Sequence, residues 1–200
     1  MKLRHLFRGL IIGPVLLIIF FSNLSYAKQT IVFARHGEKP NNQSGQLTCK
    51  GLNRALALPE VLIPRFGNPD ELFASAPHQN KSGSSLRALS TLIPTAVRLS
   101  LPINLKYHAD DVEDVSDELS RNRDGSHLTF VAWEHKNLVL IAKSVVKKVG
   151  GDTSLIPDKW PGSDFDSIYV LTIDKSNEKN PVSFRHDQES LDGVSESCPK

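Results

Sequence analysis

The sequence predicts an α/β domain: a three-layer α/β/α sandwich around a mainly parallel central sheet, with an antiparallel edge hairpin near the C-terminus. Three observations carry this. Short runs of β-branched and aromatic residues alternate with helix-periodic stretches through most of the chain, which is the pattern of βαβ units. The last two strand-like runs, "SIYVLTI" and "VSFRH", have only the turn "DKSNEKNP" between them. The 200 residues, 40% hydrophobic and 23% charged, suffice for one core, and no repeat, low-complexity segment or long linker divides them.

The first 27 residues stand apart. Lys2, Arg4 and Arg8 precede Leu10–Phe21, an unbroken apolar run of 12 residues. A membrane-spanning helix needs ~20. Ser25 and Ala27 sit where a signal peptidase expects small residues. The expectation is an export signal over 1–27, cleaved after Ala27, and a domain over 28–200 in the periplasm or outside the cell. Retention as a signal anchor is the alternative; after cleavage no stable membrane insertion is expected. Setting aside the three basic residues of the leader leaves 21 basic against 22 acidic residues in the rest. No Lys/Arg cluster remains to suggest nucleic acid or an anionic membrane surface. Cys49 and Cys198 either pair, as an oxidising compartment allows, or stay free. Neither belongs to a CxxC or zinc-like cluster.

The elements follow in order. Thr30–Ala34 reads as a buried strand. "LTCKGLNRALALPEVL" reads as a helix with Thr48 as N-cap, Leu52, Ala55 and Leu56 on one face, and Pro59 ending or kinking it. "ELFASAP" is a second strand running into a turn, "HQNKSGSSL" a polar loop, and "RALSTLIPTAVRL" a helix with a kink expected at Pro94. "INLKY" is a strand and "DDVEDVSDELS" an acidic helix burying Val112, Val115 and Leu119. "LTFVAW" is a strand, followed by the helix "LVLIAKSVVKKV", which stops at Gly150–Gly151.

In such sheets ligands bind beyond the C-terminal strand ends. Two strands here end in chemistry. "IVFARHGEKP" delivers Arg35 and His36, and "FVAWEHKN" delivers Glu134 and His135 at a helix start. A helix N-terminus favours an anion, and Arg35 and Arg87 offer planar donors that match phosphate oxygens.

These segments resemble the histidine phosphatase superfamily, the phosphoglycerate-mutase-like proteins. "ARHGE" resembles its Arg-His-Gly signature, and "LTCKGLNRAL" its Leu-Thr-x-x-Gly helix start. "FASAP" with "LRALSTLIPTA" is similar to the segment bearing its second arginine, and "WEHKN" to that of its second histidine. The resemblance implies a metal-independent phosphomonoester hydrolase acting on a small phosphorylated substrate without cofactor. His36 would be the nucleophile that forms a phosphohistidine; Arg35, Arg87 and His135 would bind the phosphoryl oxygens. The general acid is Glu134 or one of Asp110, Asp111, Glu113 and Asp114, with Glu134 favoured. The segment "HQNKSGSS" between Pro77 and Arg87 departs from the family spacing. It is either a lid or specificity wall or a tolerated insertion.

Two alternatives stand beside this reading: a noncatalytic member that binds a phosphorylated ligand or a protein, and a mutase-type phosphotransferase. His36 and His135 as ligands of a metal is a rival chemistry, but clustered ligand spacing is absent. His78, His108, His127 and His186 read as surface residues, Trp133 and Trp160 as core or pocket wall, and Asp164 and Asp166 as turn residues.

Overall fold

The computed structural model describes residues 28–42, 44–80 and 83–200. The export signal expected over 1–27 lies outside the described residues. Strand β1 (Lys28–Arg35) is followed by α1 (Cys49–Phe66), β2 (Glu71–Ala74), β3 (Gln79–Asn80), β4 (Gly83–Ser84), α2 (Arg87–Leu99) and β5 (Ile103–Asn104). Then come α3 (Val112–Leu119), β6 (His127–Trp133), α4 (His135–Lys148), a 3-10 turn at Thr153–Leu155, β7 (Ser167–Asp174) and β8 (Val182–Gln188). Six strands form one sheet in the order β5-β2-β6-β1-β7-β8. β5, β2, β6 and β1 run parallel; β7 is antiparallel to β1, and β8 to β7. The expected hairpin is therefore the sheet edge.

Alternation along the strands sorts the core into two layers. Val32, Leu72, Phe130, Ile168 and Val170 face α1 and α2, packing against Leu58, Leu62 and Leu92. Ile31, Phe33, Val131, Trp133, Tyr169 and Leu171 face the other way, onto Val115, Leu138, Ile141 and Val145 of α3 and α4. A sheet covered on both faces needs strands that are apolar at consecutive positions, and β1 and β6 supply them.

Four local expectations are corrected. The helix does not end at Pro59; α1 continues through Pro59 and Pro64 to Phe66. Leu52 and Leu56 are 37% and 49% exposed, because the buried stripe is Gly51, Arg54, Ala55, Leu58 and Leu62. The helix is turned so that Gly51 meets the chain after β1. The predicted strand "INLKY" shrinks to Ile103–Asn104, which pairs only with β2 at the free edge. The predicted loop after Pro77 contains a two-stranded ribbon, with Gln79 opposite Ser84 and Asn80 opposite Gly83. The predicted N-cap holds: Thr48 Oγ1 accepts from Gly51 N at 3.1 Å.

Cys49, at the start of α1, is disulfide-bonded to Cys198 across 149 residues of sequence. The bond fastens the segment after β8 to the helix whose N-terminus faces the sheet's C-terminal edge. Asn53 Nδ2 adds donations to the carbonyls of Ser195 and Ser197, both at 2.7 Å. Cross-linking so long a loop stabilises by up to about 5 kcal/mol on the chain-entropy model. Replacing both cysteines by serine is expected to lower the urea-unfolding free energy by several kcal/mol while the far-UV spectrum stays native; a loss below about 1 kcal/mol would contradict that model.

Candidate active site

β1 and β6 are parallel neighbours in a register that sets Arg35 opposite Trp133. Both strands therefore end at one level, and His36 N donates to Trp133 O at 3.1 Å. Arg35 and His36 are 1% and 3% exposed. Arg35 Nη1 donates to the carbonyl oxygens of Gly162 and Asp164, each at 2.8 Å, and its guanidinium lies 3.7 Å from the centre of the Phe165 ring. Burial lowers the Arg35 pKa to about 10, against the opposing charges of Glu134, Asp164 and Glu38, so it stays a cation at neutral pH.

The His36 imidazole carries no proton to spare. Burial lowers its pKa to about 4, and the charges of Arg35 and Arg87 push the same way; the Gly37 carbonyl and Glu134 oppose them. Its Nδ1 lies 2.8 Å from Gly37 O. A neutral ring facing a carbonyl must present N–H there, which leaves the lone pair on Nε2.

Backbone contacts fix the loop that carries it. Gly37 N donates to Thr91 Oγ1 at 3.0 Å, and Thr91 Oγ1 donates to Arg87 O at 2.8 Å. Thr91 is fully buried and ties the first turn of α2, where Arg87 sits, to the His36 loop. Gly37 also lies against Gly51: a Cβ on Gly37 would stand 2.8 Å from Gly51 O, and one on Gly51 only 2.5 Å from Glu38 O. Two glycines meet because neither position has room for a side chain.

β6 ends at Trp133, so Glu134 has left the strand and serves as N-cap of α4. Its Oε2 accepts from Lys136 N and Asn137 N at 2.9 and 3.1 Å, and its Oε1 lies 2.6 Å from His135 Nδ1. Burial lowers the His135 pKa, as does the charge of Arg35, while Glu134 raises it. The five predicted residues Arg35, His36, Arg87, Glu134 and His135 thus surround one region at the sheet's C-terminal edge. The Nε atoms of Arg35 and Arg87 are both buried there without a hydrogen-bond partner.

The competing acids are dispersed. Glu113 pairs with Lys148 and Ser144 on the outer flank of α3 and α4, and Asp114 is exposed. Asp111 Oδ2 caps His108 N at 2.8 Å. Asp110 follows Ala109, whose carbonyl accepts from Trp133 Nε1 and Asn137 Nδ2, so it stays near the start of α4.

Sequence reading missed four contributors. Thr91 and Phe165 carry no pattern of their own. Asp164, read as a turn residue, does make the turn: its Oδ1 accepts from the backbone N–H groups of Asp166 and Ser167, and its carbonyl holds Arg35. The fourth, Arg54, is fully buried inside α1. Its Nε and Nη2 donate to Glu38, Nη1 to Asp166 and Glu189 at 3.0 and 2.7 Å, and Nη2 also to Asp192 at 2.7 Å. Burial raises the Glu189 carboxyl to about 8, although Arg54 pulls it down. Hydrogen bonds and charge from Arg54 lower Glu38 against the opposing effect of burial. Of the histidines read as surface residues, His127 is half-buried between Asp70 and Glu71, and His186 contacts Ser167. Among the described residues no group of three His, Cys, Asp or Glu is placed to hold a metal ion.

No protein-family model matches the sequence, and no curated protein matches it. Solved structures do. The chain is similar to the protein histidine phosphatase SixA complexed with tungstate, at 19% identity and a TM-score of 0.56, over 80% of this chain and 97% of that one. It is also similar to phosphoglycerate mutase from Plasmodium falciparum, at 13% identity and a TM-score of 0.51, over 80% and 89% of the two chains. The fold is that of the phosphoglycerate-mutase-like histidine phosphatases.

The glycine contact yields a test. Alanine favours a helix over glycine by about 1 kcal/mol, but the methyl on residue 51 meets backbone that cannot move without shifting His36. Overpacking of this kind costs ~1–3 kcal/mol or more. Gly51→Ala is expected to lower the denaturant midpoint and abolish most activity. Gly193→Ala, where a Cβ meets nothing within 4 Å, should do neither.

Proposed function

We propose that the protein is a phosphomonoester hydrolase that works through a phosphohistidine on His36. The observation that carries this is a buried, neutral imidazole with Nδ1 on a carbonyl, beside two guanidiniums whose buried Nε groups lack partners. A neutral Nε2 is a nucleophile, and unpartnered cationic donors suit a phosphoryl group. Likeness in fold to a histidine phosphatase complexed with tungstate supports the same reading.

In the first step the Nε2 lone pair forms a bond to phosphorus while the bond to the leaving oxygen breaks. Arg35, Arg87 and His135 hold the three peripheral oxygens and offset the charge that builds on them. The departing oxygen takes a proton from the general acid, which we assign to Glu134. Its charge acts on Arg35, His36 and His135 alike, so it is the carboxyl group inside the constellation. In the second step water attacks phosphorus, the N–P bond breaks, and Glu134 recovers a proton from the water. None of these steps calls on a metal, and the substrate we infer is a small phosphorylated molecule. Specificity is assigned to the Pro77–Ser85 segment, which precedes Arg87 in the sequence.

The test is hydrolysis of an aryl phosphate by residues 28–200, with and without chelator. Turnover is expected to resist chelator and to vanish in His36→Ala, with a phosphoenzyme trapped in the wild type and absent in that variant. A nucleophile with a pKa lowered to about 4 stays neutral above that pH, so kcat/KM should hold down to about pH 5 and fall only below it. A fall centred at the ordinary histidine value would contradict the assigned environment. Glu134→Gln should retain phosphoenzyme formation from an aryl phosphate far better than from an alkyl phosphate, since only the poorer leaving group needs the proton in the first step, whereas hydrolysis of the phosphoenzyme should slow equally for both. Binding of phosphate with no turnover in the wild type would instead support a noncatalytic phosphate binder, and chelator-sensitive turnover a metal site.

We further propose export, from the charged and apolar leader and the small residues before Lys28. The disulfide supports an oxidising compartment. N-terminal sequencing of the protein from its native cell should begin at Lys28; Met1 retained would replace secretion with anchoring.

A further inference from the structure

Arg54 lies outside the phosphoryl region, yet its five N–H donors are all spent on four carboxylates drawn from three parts of the chain. Two of those carboxylates lead to the active centre by short paths. Glu38 follows Gly37, whose carbonyl receives His36 Nδ1, and the Glu38 carbonyl itself accepts from Thr48 N at 2.8 Å. Asp166 is two residues beyond Asp164, whose carbonyl receives Arg35 Nη1. Asp166 in turn accepts from Ser190 N and Leu191 N at 3.0 and 2.7 Å, and the Glu189 amide donates to its carbonyl.

We propose that Arg54 is the positioning residue of the active centre, with one arm through Glu38 setting the His36 imidazole and the other through Asp166 setting the Arg35 guanidinium. The segment after β8 completes the device. Glu189 and Asp192 take the remaining Nη donors, and the Cys49–Cys198 bond keeps that segment against α1. The fork geometry matters, because a lysine has no planar set of five donors to divide between two arms. Arg54 touches neither substrate nor the reacting nitrogen and acts only through the two loops. This inference rests on His36 being the nucleophile.

The two arms predict different kinetic signatures. Glu38→Gln loosens the His36 arm: kcat for an aryl phosphate should fall at least tenfold with KM little changed. The His36 titration followed by NMR should also move up from about 4 toward the ordinary histidine value as water reaches the ring. Asp166→Asn loosens the Arg35 arm and should weaken inhibition by inorganic phosphate at least fivefold, leaving the His36 titration in place. Arg54→Gln should show both effects. Where Arg54→Gln fails to fold, the two single-arm variants still decide the matter. Leu62→Ala, a buried truncation on the same helix, is the control for lost stability and should move neither readout at a temperature where it is folded.

Wild-type kcat and an unmoved His36 titration in Glu38→Gln would overturn the proposal, as would equal shifts in Leu62→Ala. His36→Ala separates this from the mechanism itself. Full turnover without His36 would remove the nucleophile reading, whereas no turnover without His36 combined with normal Glu38→Gln kinetics would remove only the role of Arg54.

Discussion

The buried guanidinium of Arg54 is the constraint on which the arrangement of this molecule depends. It joins the loop after β1, the turn before β7 and the segment after β8 through four carboxylates. Withdrawing such charges from water costs several kcal/mol per ion, and the pairing returns that cost only if every donor is satisfied. Here each of the five N–H groups has a carboxylate oxygen, so the cluster contributes little net stability but strongly favours one geometry. The excess of negative charge is relieved at Glu189, where burial favours the neutral carboxyl up to about pH 8. Asp192 sits in solvent, where its charge is screened.

The same logic runs through the candidate site. Placing Arg35 and His36 at the end of the central strand buries both, which gives the imidazole its lone pair and the guanidinium its rigid seat. The imidazole is kept neutral by desolvation first and by the neighbouring guanidiniums second. In the proposed mechanism, a site built this way needs no base to prepare the imidazole for attack. Its requirement is steric: the backbones of Gly37 and Gly51 have to touch, which is why the loop and α1 form a single unit.

The segment after β8 is integral to that unit. It is fastened to α1 by the disulfide and by Asn53, and it supplies two of the Arg54 partners. A covalent tie of this span lowers the entropy gained in any opening that would expose the Arg54 cluster to water. Oxidising conditions would therefore serve the geometry of the centre as well as its stability.

Sequence alone determined the layered α/β architecture, the edge hairpin, the Thr48 cap and the five residues at the strand and helix ends. Apolar runs, turn residues and capping side chains act within a few positions of one another, so they are written locally. It also placed a histidine and an arginine at the end of a buried strand, which marks a candidate site because a core strand does not tolerate them. Tertiary structure decided what depends on distant partners. Leu52 and Leu56 face solvent because Gly51 must face Glu38, and α1 runs past Pro59 because packing outweighs that residue's local effect. Arg54 reads in sequence as one more polar residue of an amphipathic helix. Its acceptors lie between 16 and 138 residues away, and no periodicity records them. Only folding brings those charges together, and all but Asp192 meet in a place where water screens them little.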